Sequence, residues 1–282
     1  MHVALVQMRS GRSHAANVDA ACALIEEAAS TGAHYVQTPE MTTLVDRDRA
    51  GLQAHITHDA VSHAVARFSA LAAKHSLFLH IGSMAVPMPD GRFANRAHLF
   101  GPDGAVITTY DKIHMYDVDL ANGESWRESA IYAPGERCVI ADLGVAKLGL
   151  GICYDLRFAG LFRAQAQAGA QLLTMPSAFT RQTGQAHWHV LLRARAIETG
   201  SFVMAAAQGG THEDDRETYG HSMIVDPWGV VVAEKADDEL GVISAEIDVA
   251  AVAEARGKIA ALTHDRSFEL DSVPLGTTRS VA

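Results

Sequence analysis

The sequence predicts an α/β protein with mixed β-sheets, packed in layers as a sandwich. Helical patterns and short apolar runs alternate along most of the 282 residues, an order that places helices against a sheet. Pro-Asp-Gly turns at residues 89–91 and 102–104 separate short strands and indicate antiparallel hairpins. Hydrophobic residues make up 48% of the chain and charged residues 20%, a composition that buries a large core rather than remaining disordered.

The first half of the chain alternates between strands and helices. An apolar run predicts a strand at 2–8, and the Ala-rich segment 14–30 predicts a helix with one apolar stripe, ended by a left-handed cap at Gly32. The next elements are a strand at 33–38, a helix at 59–75, a strand at 77–84, hairpins around the two turns with a strand at 104–110, and strands at 137–143 and 145–152.

The second half repeats this rhythm. The predicted elements are a helix at 157–168, a strand at 171–175, a helix at 184–199, strands at 202–207, 219–226, 229–234 and 241–247, and a last helix at 249–260. No linker rich in Pro, Gly or Ser interrupts the pattern. We therefore predict a single domain over 1–282, with a core at about 1–262 and an irregular tail at 263–282.

Composition excludes several classes of function. The net charge of −10 argues against nucleic acid and anionic membranes as partners, since both require a basic surface. No apolar run is long enough to span a bilayer, and the first eight residues lack the basic start of a signal peptide. Three cysteines without a CxxC pair indicate neither a disulfide framework nor a zinc site. We expect a cytoplasmic protein.

Cys153 is the first candidate for chemistry. It lies where the apolar segment 145–152 runs into a helical pattern, and a side chain on such a turn projects from the end of the sheet beside backbone N–H groups. Amide dipoles at a helix start also favour a thiolate. The alternative is an inert buried cysteine. A dinucleotide loop is excluded, because Tyr154 stands where the third glycine would be needed.

Two further strand ends carry charged side chains. Glu40 follows the strand at 33–38 and Pro39, where it is either a general base with a pKa raised by burial or an exposed turn residue. Lys112 follows the strand at 104–110, where it is either a solvated loop residue or a fixed cation for an oxyanion. Glu128 is a second carboxylate that would hold such a lysine in place.

The fifteen histidines raise the question of a metal site. His187 and His189 are two positions apart and do not share a helix face. His55 and His58 lack the glutamate of a metalloprotease motif, and His63 is the third nearby histidine. We therefore expect no metal ion and no cofactor. A non-enzymatic scaffold is the remaining alternative from another class, but it would be expected to have lost one of the candidate side chains.

These segments together resemble the nitrilase superfamily of carbon–nitrogen hydrolases. The motifs that carry the resemblance are Gln7 at the end of the first strand, PEM at 39–41, YDKIH at 110–114, RES at 127–129, GICYDLRF at 151–158, PSAFT at 176–180, AHW at 186–188, RARAIE at 193–198 and YGHSMIVDPWG at 219–229. The sequences of these motifs are most similar to those of the branch that includes deaminated glutathione amidase and ω-amidase. The resemblance implies a four-layer αββα sandwich.

The resemblance also implies a mechanism and a substrate class. Glu40, Lys112 and Cys153 would form the catalytic triad, Glu128 would orient the lysine, and a cysteine thioester would convert a small carboxylated amide to acid plus ammonia. Deaminated glutathione amidase is the main reading, and ω-amidase acting on α-ketoglutaramate, or another amidase or carbamoylase of the superfamily, is the alternative. The remaining candidates are four residues expected to bind substrate: Arg157, Tyr154, Phe179 and Thr180.

Two roles are open for Arg157. The arginine either binds a substrate carboxylate or forms a buried salt bridge to Asp155 or Glu198.

The resemblance also implies a partner chain, because family members commonly pair outer helices into dimers. The corresponding helices here are 157–168 and 184–199, and the small residues Ala164, Ala166 and Ala168 would allow close approach. We expect a homodimer or a larger homo-oligomer.

Overall fold

A computed structural model of the chain describes residues 1–119, 123 and 125–272, so the predicted tail lies outside the described residues from position 273 onward. The strands are β1 (His2–Gln7), β2 (Tyr35–Gln37), β3 (Phe78–Pro87), β4 (Phe93–Phe100), β5 (Val106–Asp111), β6 (Asp117–Asp119), β7 (Ser125–Arg127), β8 (Tyr132–Ala133), β9 (Ile140–Asp142), β10 (Lys147–Gly149), β11 (Leu172–Thr174), β12 (Phe202–Ala205), β13 (Gly209–Thr211), β14 (Glu217–Tyr219), β15 (Met223–Val225), β16 (Val231–Glu234) and β17 (Gly241–Glu246). The helices are α1 (His14–Ser30), α2 (Arg49–His55), α3 (His58–His75), α4 (Ala159–Gln167), α5 (Arg181–Thr199) and α6 (Ala250–Lys258). None of these helices is long and apolar enough to cross a membrane.

Two mixed sheets form the centre of the protein. The first has the strand order β17-β1-β2-β3-β4-β5, with β8 beside β4, and the second has the order β16-β15-β12-β11-β10-β9. In each sheet three neighbouring strands are parallel, namely β1 to β3 and β10 to β12, and antiparallel strands flank them. The prediction of mixed sheets is confirmed.

The side chains of β1 show how the layers stack. Val3 and Leu5 belong to the core between the two sheets, together with residues of β10, β11 and β12. Ala4 and Val6 point the other way and pack with α1 and α3. Neighbouring residues of a strand face opposite sides of its sheet. One face of the first sheet is therefore covered by α1 and α3, and the other face packs against the second sheet. With α4 and α5 against the second sheet, the four layers follow the order αββα.

Several predicted boundaries need correction. The segment 219–226 is not one strand, because Gly220 and His221 have φ angles of 69° and 58° and separate β14 from β15, which lie in different sheets. The helix predicted at 157–168 is a 3₁₀ turn at Cys153–Arg157 followed by α4, and the helix predicted at 184–199 begins at Arg181. Helix α2 and the β6–β7 hairpin, both short, were not predicted.

The start of the tail packs on α4. Asp265 accepts hydrogen bonds from Arg163 and from Gln167, whose Nε2 lies 2.7 Å from the carboxylate. Ala166 was expected on an outer pairing surface, but it is buried in the core, whereas Ala164 and Ala168 are exposed. A helix nine residues long turns some small residues inward, so alternate residues cannot all share its outer face.

Buried glutamine side chains join the two sheets. Gln7 Oε1 accepts hydrogen bonds from the backbone N–H of Ser222 at 2.8 Å and from its hydroxyl at 2.9 Å. Gln37 Oε1 accepts from the Ala206 N–H at 3.1 Å. Both glutamines are completely buried, so their amides satisfy backbone groups that solvent cannot reach.

Gln37→Leu is expected to lower the free energy of unfolding by about 1–3 kcal/mol, because the buried Ala206 N–H loses its acceptor. Urea denaturation measures the change. Gln53→Leu is the matched control, since Gln53 is exposed on α2. Equal unfolding midpoints for the two variants would contradict this account of how the sheets are joined.

Candidate active site

Cys153 lies at a sharp turn after the second sheet. Strand β10 ends at Gly149, and the 3₁₀ turn Cys153–Arg157 begins at the cysteine itself, whose φ is 50°. Its backbone N–H donates to the Pro176 carbonyl at 3.0 Å. A non-glycine residue in this left-handed region is uncommon, and strained residues of this kind are enriched at functional sites. The side chain is buried but lines a cavity.

Glu40 comes from the first sheet and is buried rather than exposed. Its Oε1 accepts hydrogen bonds from Lys112 Nζ and from Asn95 Nδ2, both at 2.9 Å, and its Oε2 accepts from the Ala178 N–H at 2.9 Å. The reading as an exposed turn residue is therefore wrong. Three donors fix both carboxylate oxygens of Glu40 in one orientation.

Lys112 lies between two carboxylates. Its Nζ donates to Glu40 Oε1 at 2.9 Å and to Glu128 Oε1 and Oε2 at 3.0 and 2.9 Å. Only 2% of the residue is exposed, so the reading as a solvated loop lysine is also wrong. Burial by itself lowers the pKa of this ammonium group, but Glu128 and Glu40 together raise that pKa well above its ordinary value.

The proton equilibria of Glu40 and Cys153 differ from expectation. Burial raises the pKa of Glu40, as the sequence suggested, but the charge of Lys112 and several hydrogen bonds outweigh it and lower the pKa overall. Burial and the neighbouring Glu40 raise the pKa of the Cys153 thiol well above its ordinary value, against the opposing charge of Lys112. At neutral pH the resting site therefore holds a thiol, a carboxylate and an ammonium group.

Asn95 belongs to the same cluster, although sequence reasoning missed it. Its Nδ2 donates to Glu40 Oε1 at 2.9 Å and to Glu128 Oε1 at 3.1 Å, so one amide connects the two carboxylates. The Tyr116 N–H donates to Glu128 Oε2 at 2.7 Å. The available signal was a completely buried amide in β4, a strand otherwise rich in apolar residues.

A close backbone approach brings the two sheets together at this point. A Cβ added to Gly82 in β3 would lie 2.2 Å from the Thr38 carbonyl oxygen and 2.4 Å from Pro176 Cβ. Thr38 lies two residues before Glu40 in the sequence, and the carbonyl of Pro176 accepts the hydrogen bond from the Cys153 N–H. Only glycine leaves room for this contact, which sets the separation of the two candidate residues.

Arg157 forms neither of its expected salt bridges. The buried Asp155 accepts hydrogen bonds from the Tyr110 hydroxyl at 2.7 Å and the Ile152 N–H at 2.9 Å, while Glu198 pairs with Arg195. The Arg157 guanidinium lies instead over the Tyr154 and Phe179 rings, 5.9 and 5.6 Å from their centroids. The prediction of a structural salt bridge is therefore wrong, and Arg157 lines the cavity instead.

A cavity of about 400 Å³ brings the candidates together. All eight residues singled out from the sequence line it: Glu40, Lys112, Glu128, Cys153, Tyr154, Arg157, Phe179 and Thr180. Thr180 is also the residue preceding α5. This volume suits a small molecule that carries a few polar groups. A buried thiol beside a carboxylate and an ammonium group can perform nucleophilic attack assisted by a base.

The two α5 histidines considered for a metal site have other partners. His189 pairs with Glu234 at 2.7 Å, and His187 contacts Arg157 at 3.2 Å. Among the residues that the structure describes, no group of three or more His, Cys, Asp or Glu side chains is arranged to hold a metal ion.

The arrangement, a buried thiol with a carboxylate and an ammonium group on an αββα sandwich, suits an enzyme that uses a thiol nucleophile. Residues 2–257 match the family model of the carbon–nitrogen hydrolases, and the chain belongs to this family. It is therefore an enzyme that hydrolyses carbon–nitrogen bonds, and its fold is that of the nitrilase superfamily.

Two relatives and one solved structure show how close the similarity is. Deaminated glutathione amidase of Yersinia enterocolitica is 36% identical over 269 residues, which cover 94% of this chain and 93% of that protein. Human omega-amidase NIT2 is 36% identical over 269 residues, covering 94% and 95%. The crystal structure of Saccharomyces cerevisiae Nit3, a member of branch 10 of the nitrilase superfamily, has a TM-score of 0.84 at 31% identity, covering 95% and 97%.

Lys112→Met is expected to destabilise the fold by about 3–5 kcal/mol at pH 7, because two buried carboxylates lose their cation. The lowered pKa of Glu40 contributes stability to the wild type above the ordinary value of 4.5, and this contribution is lost as the pH falls. In the variant, burial raises the pKa of Glu40 instead, so its deficit should shrink towards pH 4.

Urea denaturation at pH 7 and pH 4.5 measures this deficit. Lys147→Met is the matched control, since Lys147 is exposed at the start of β10. A deficit that stays constant with pH would show that the ammonium–carboxylate contacts are not its source.

Proposed function

We propose that this enzyme is an amidase whose nucleophile is Cys153 and whose reaction passes through a cysteine thioester. The single observation that carries the proposal is the buried cluster in which Lys112 binds Glu40 at 2.9 Å beside the cysteine, open to a cavity. The membership in the carbon–nitrogen hydrolase family supports it.

Glu40 acts as the general base in the first half of the reaction. The pKa of the Cys153 thiol is raised, so the thiol needs a base at neutral pH. The Glu40 carboxylate has a lowered pKa and is available to accept the proton. As the sulfur attacks the amide carbon, that proton moves to Glu40, which then donates it to the departing nitrogen.

Lys112 and a backbone amide stabilise the oxyanion that forms during the attack. The Cys153 N–H already donates to Pro176, so the next amide along the chain, that of Tyr154, is the backbone donor we assign. Loss of one such donor typically costs about 2.7–4 kcal/mol of transition-state stabilisation. Glu128 keeps Lys112 in position through both of its carboxylate oxygens.

Water completes the reaction in the second half. Glu40, which has given its proton to the leaving nitrogen, takes a proton from a water molecule that attacks the thioester carbonyl. The thioester carbon–sulfur bond breaks, the acid leaves, and the sulfur recovers a proton from Glu40. Both steps use the same base and the same oxyanion donors.

The substrate we propose is deaminated glutathione, with α-ketoglutaramate as the alternative. The names of the relatives support both, and Arg157 offers a bidentate partner for a substrate carboxylate. Glutathione is a tripeptide, so hydrolysis of its amides releases an amine rather than ammonia. Ammonia, the product expected from the sequence, would therefore be released from α-ketoglutaramate, whereas deaminated glutathione would release an amine.

Cys153→Ser is expected to lower kcat on the best amide to about a thousandth of the wild-type value or less, because the nucleophile is lost. Cys138→Ser is the control, since Cys138 is exposed and lies outside the cavity lining. Glu40→Gln should lower kcat to a similar extent, because both halves of the reaction use Glu40 as the base. Wild-type turnover by Cys153→Ser would refute the mechanism.

One assay distinguishes the candidate substrates. Deaminated glutathione, α-ketoglutaramate, glutathione and a nitrile are incubated with the wild type, and released amine and ammonia are measured separately. The main proposal requires amine release from deaminated glutathione with the highest kcat/KM. Faster ammonia release from α-ketoglutaramate would favour the alternative.

We propose that the protein forms a homodimer through the outer faces of α4 and α5. An exposed apolar surface supports this: Val190 and Ile197 on α5, and Trp228 and Val230 beside them before β16. The backbone at Gly229 packs against Ile197, so these residues form one patch. A patch of this kind on a surface indicates a contact with another protein molecule.

Ile197→Asp is expected to convert a dimer into a monomer, because it places a charge in the buried centre of this contact. Light scattering at micromolar concentration should fall from twice the 30.1 kDa chain mass to that mass. Val145→Asp, at an exposed apolar residue before β10, should remain dimeric. A monomeric wild type would contradict the proposal.

We propose a cytoplasmic location. Cys22, Cys138 and Cys153 carry no disulfide, as is usual for proteins of a reducing compartment. Recovery of the protein in the cytosolic fraction of its host cells is the expected result.

A further inference from the structure

Arg216 is a second cavity-lining arginine, and no part of the mechanism above uses it. It lies in the turn between β13 and β14, with 14% of its side chain exposed. Its guanidinium lies over the Trp126 ring, 4.2 Å from the centroid. Within the described part of the chain its Nε has no hydrogen-bond acceptor. A buried guanidinium with an unused donor is costly unless a ligand satisfies it.

Arg47 stacks on the same indole. Its guanidinium lies 4.9 Å from the Trp126 ring centroid. Asp214 is the acidic side chain nearest to both arginines, with Oδ2 at 3.8 Å from Arg47 Nε and 3.9 Å from Arg216 Nε. Both distances are too long for hydrogen bonds, and one carboxylate cannot neutralise two guanidinium groups. The corner formed by Arg47, Trp126 and Arg216 therefore carries a net positive charge.

The other charges near this corner have partners of their own. Asp46, which also lines the cavity, pairs with Arg12 at 3.3 Å. Arg127, the residue that follows Trp126 in the sequence, pairs with Asp119 at 2.9 Å. Arg47 and Arg216 thus have only Asp214 between them as an acidic neighbour, and both of them line the same cavity as Cys153.

Arg216 and Arg157 lie against different aromatic rings of the cavity lining. Arg216 lies over Trp126, and the Tyr116 ring, with its centroid 6.5 Å from that of Trp126 and 5.1 Å from that of Tyr154, lies next to both. Arg157, by contrast, lies over the Tyr154 and Phe179 rings, a different part of the cavity lining.

We infer that Arg216, with Arg47 and Trp126, forms a second anion subsite that binds a carboxylate on the leaving group of the substrate. The inference rests on the proposed amidase function and extends it. The preferred substrate carries a carboxylate on each side of the scissile amide, one bound by Arg157 and the other by Arg216. An amine product with its own carboxylate, such as a dipeptide, fits this description, whereas ammonia does not.

Two matched substrates test the subsite. They are deaminated glutathione and its analogue in which the glycine carboxylate is a carboxamide. Wild-type kcat/KM should be about 10- to 100-fold higher for the carboxylate form, the range expected for a hydrogen bond to a charged group. Arg216→Gln should remove this preference by lowering only the value for the carboxylate form.

Two further variants separate a local effect from a general one. Arg157→Leu should lower kcat/KM for both substrates and preserve their ratio, because it acts on the shared acyl part. Arg67→Gln, which removes an equal charge from a surface pair with Asp19, should change neither value. If Arg216→Gln does not fold, Arg47→Gln decides the question, because its side chain is 43% exposed and its loss should reduce the preference in the same direction.

The outcomes separate the failure of the subsite from the failure of the function. A wild type that hydrolyses both substrates equally, or an Arg216→Gln protein that keeps the full preference, overturns the subsite while the amidase proposal stands. A wild type that cleaves only α-ketoglutaramate overturns the subsite and the main substrate together. A wild type that cleaves no amide overturns the proposed function itself.

Discussion

Three buried charges meet where the two sheets end, and the remaining site is arranged around them. The Lys112 ammonium group touches both the Glu40 and the Glu128 carboxylate. Removing such ions from water costs several kcal/mol each, and only close contacts with full hydrogen bonding offset the cost. The amide of Asn95 and the N–H groups of Tyr116 and Ala178 supply those bonds. The groups around the thiol are therefore held in place by the hydrogen bonds and ion pairs that these three charged side chains need.

The cluster also explains why the protein has two sheets in contact. Glu40 and Lys112 follow strands of the first sheet, while Cys153 follows a strand of the second. Neither sheet alone holds a base next to a nucleophile. Gly82 leaves room for Pro176, just after β11 of the second sheet, and the buried Gln7 and Gln37 hydrogen-bond from the first sheet to Ser222 and Ala206 beside the second. Packing between layers is thus a condition for the chemistry.

Sequence reasoning identified those site residues that follow strands along the chain, since strand ends are visible as the end of an apolar run. It could not show Asn95, which lies inside a strand, or the contact between Arg216, in the turn before β14, and Trp126 in β7, because only the tertiary fold brings these two segments together. The pKa of Glu40 was assigned the wrong direction for a similar reason. Burial can be read from neighbouring residues, but the opposing charge of Lys112 comes from a distant segment. The break at Gly220 was missed because apolar residues continue beyond it.

The backbone of Cys153 has a consequence for how this enzyme changes over evolutionary time. Its φ of 50° costs an L-amino acid roughly 1–2 kcal/mol, a penalty that glycine does not bear. Selection for thermal robustness alone would therefore drive this position away from cysteine. Glycine is the one residue that would relieve this backbone strain, and it has no sulfur, so at this position the gain in stability and the retention of the thiol are mutually exclusive.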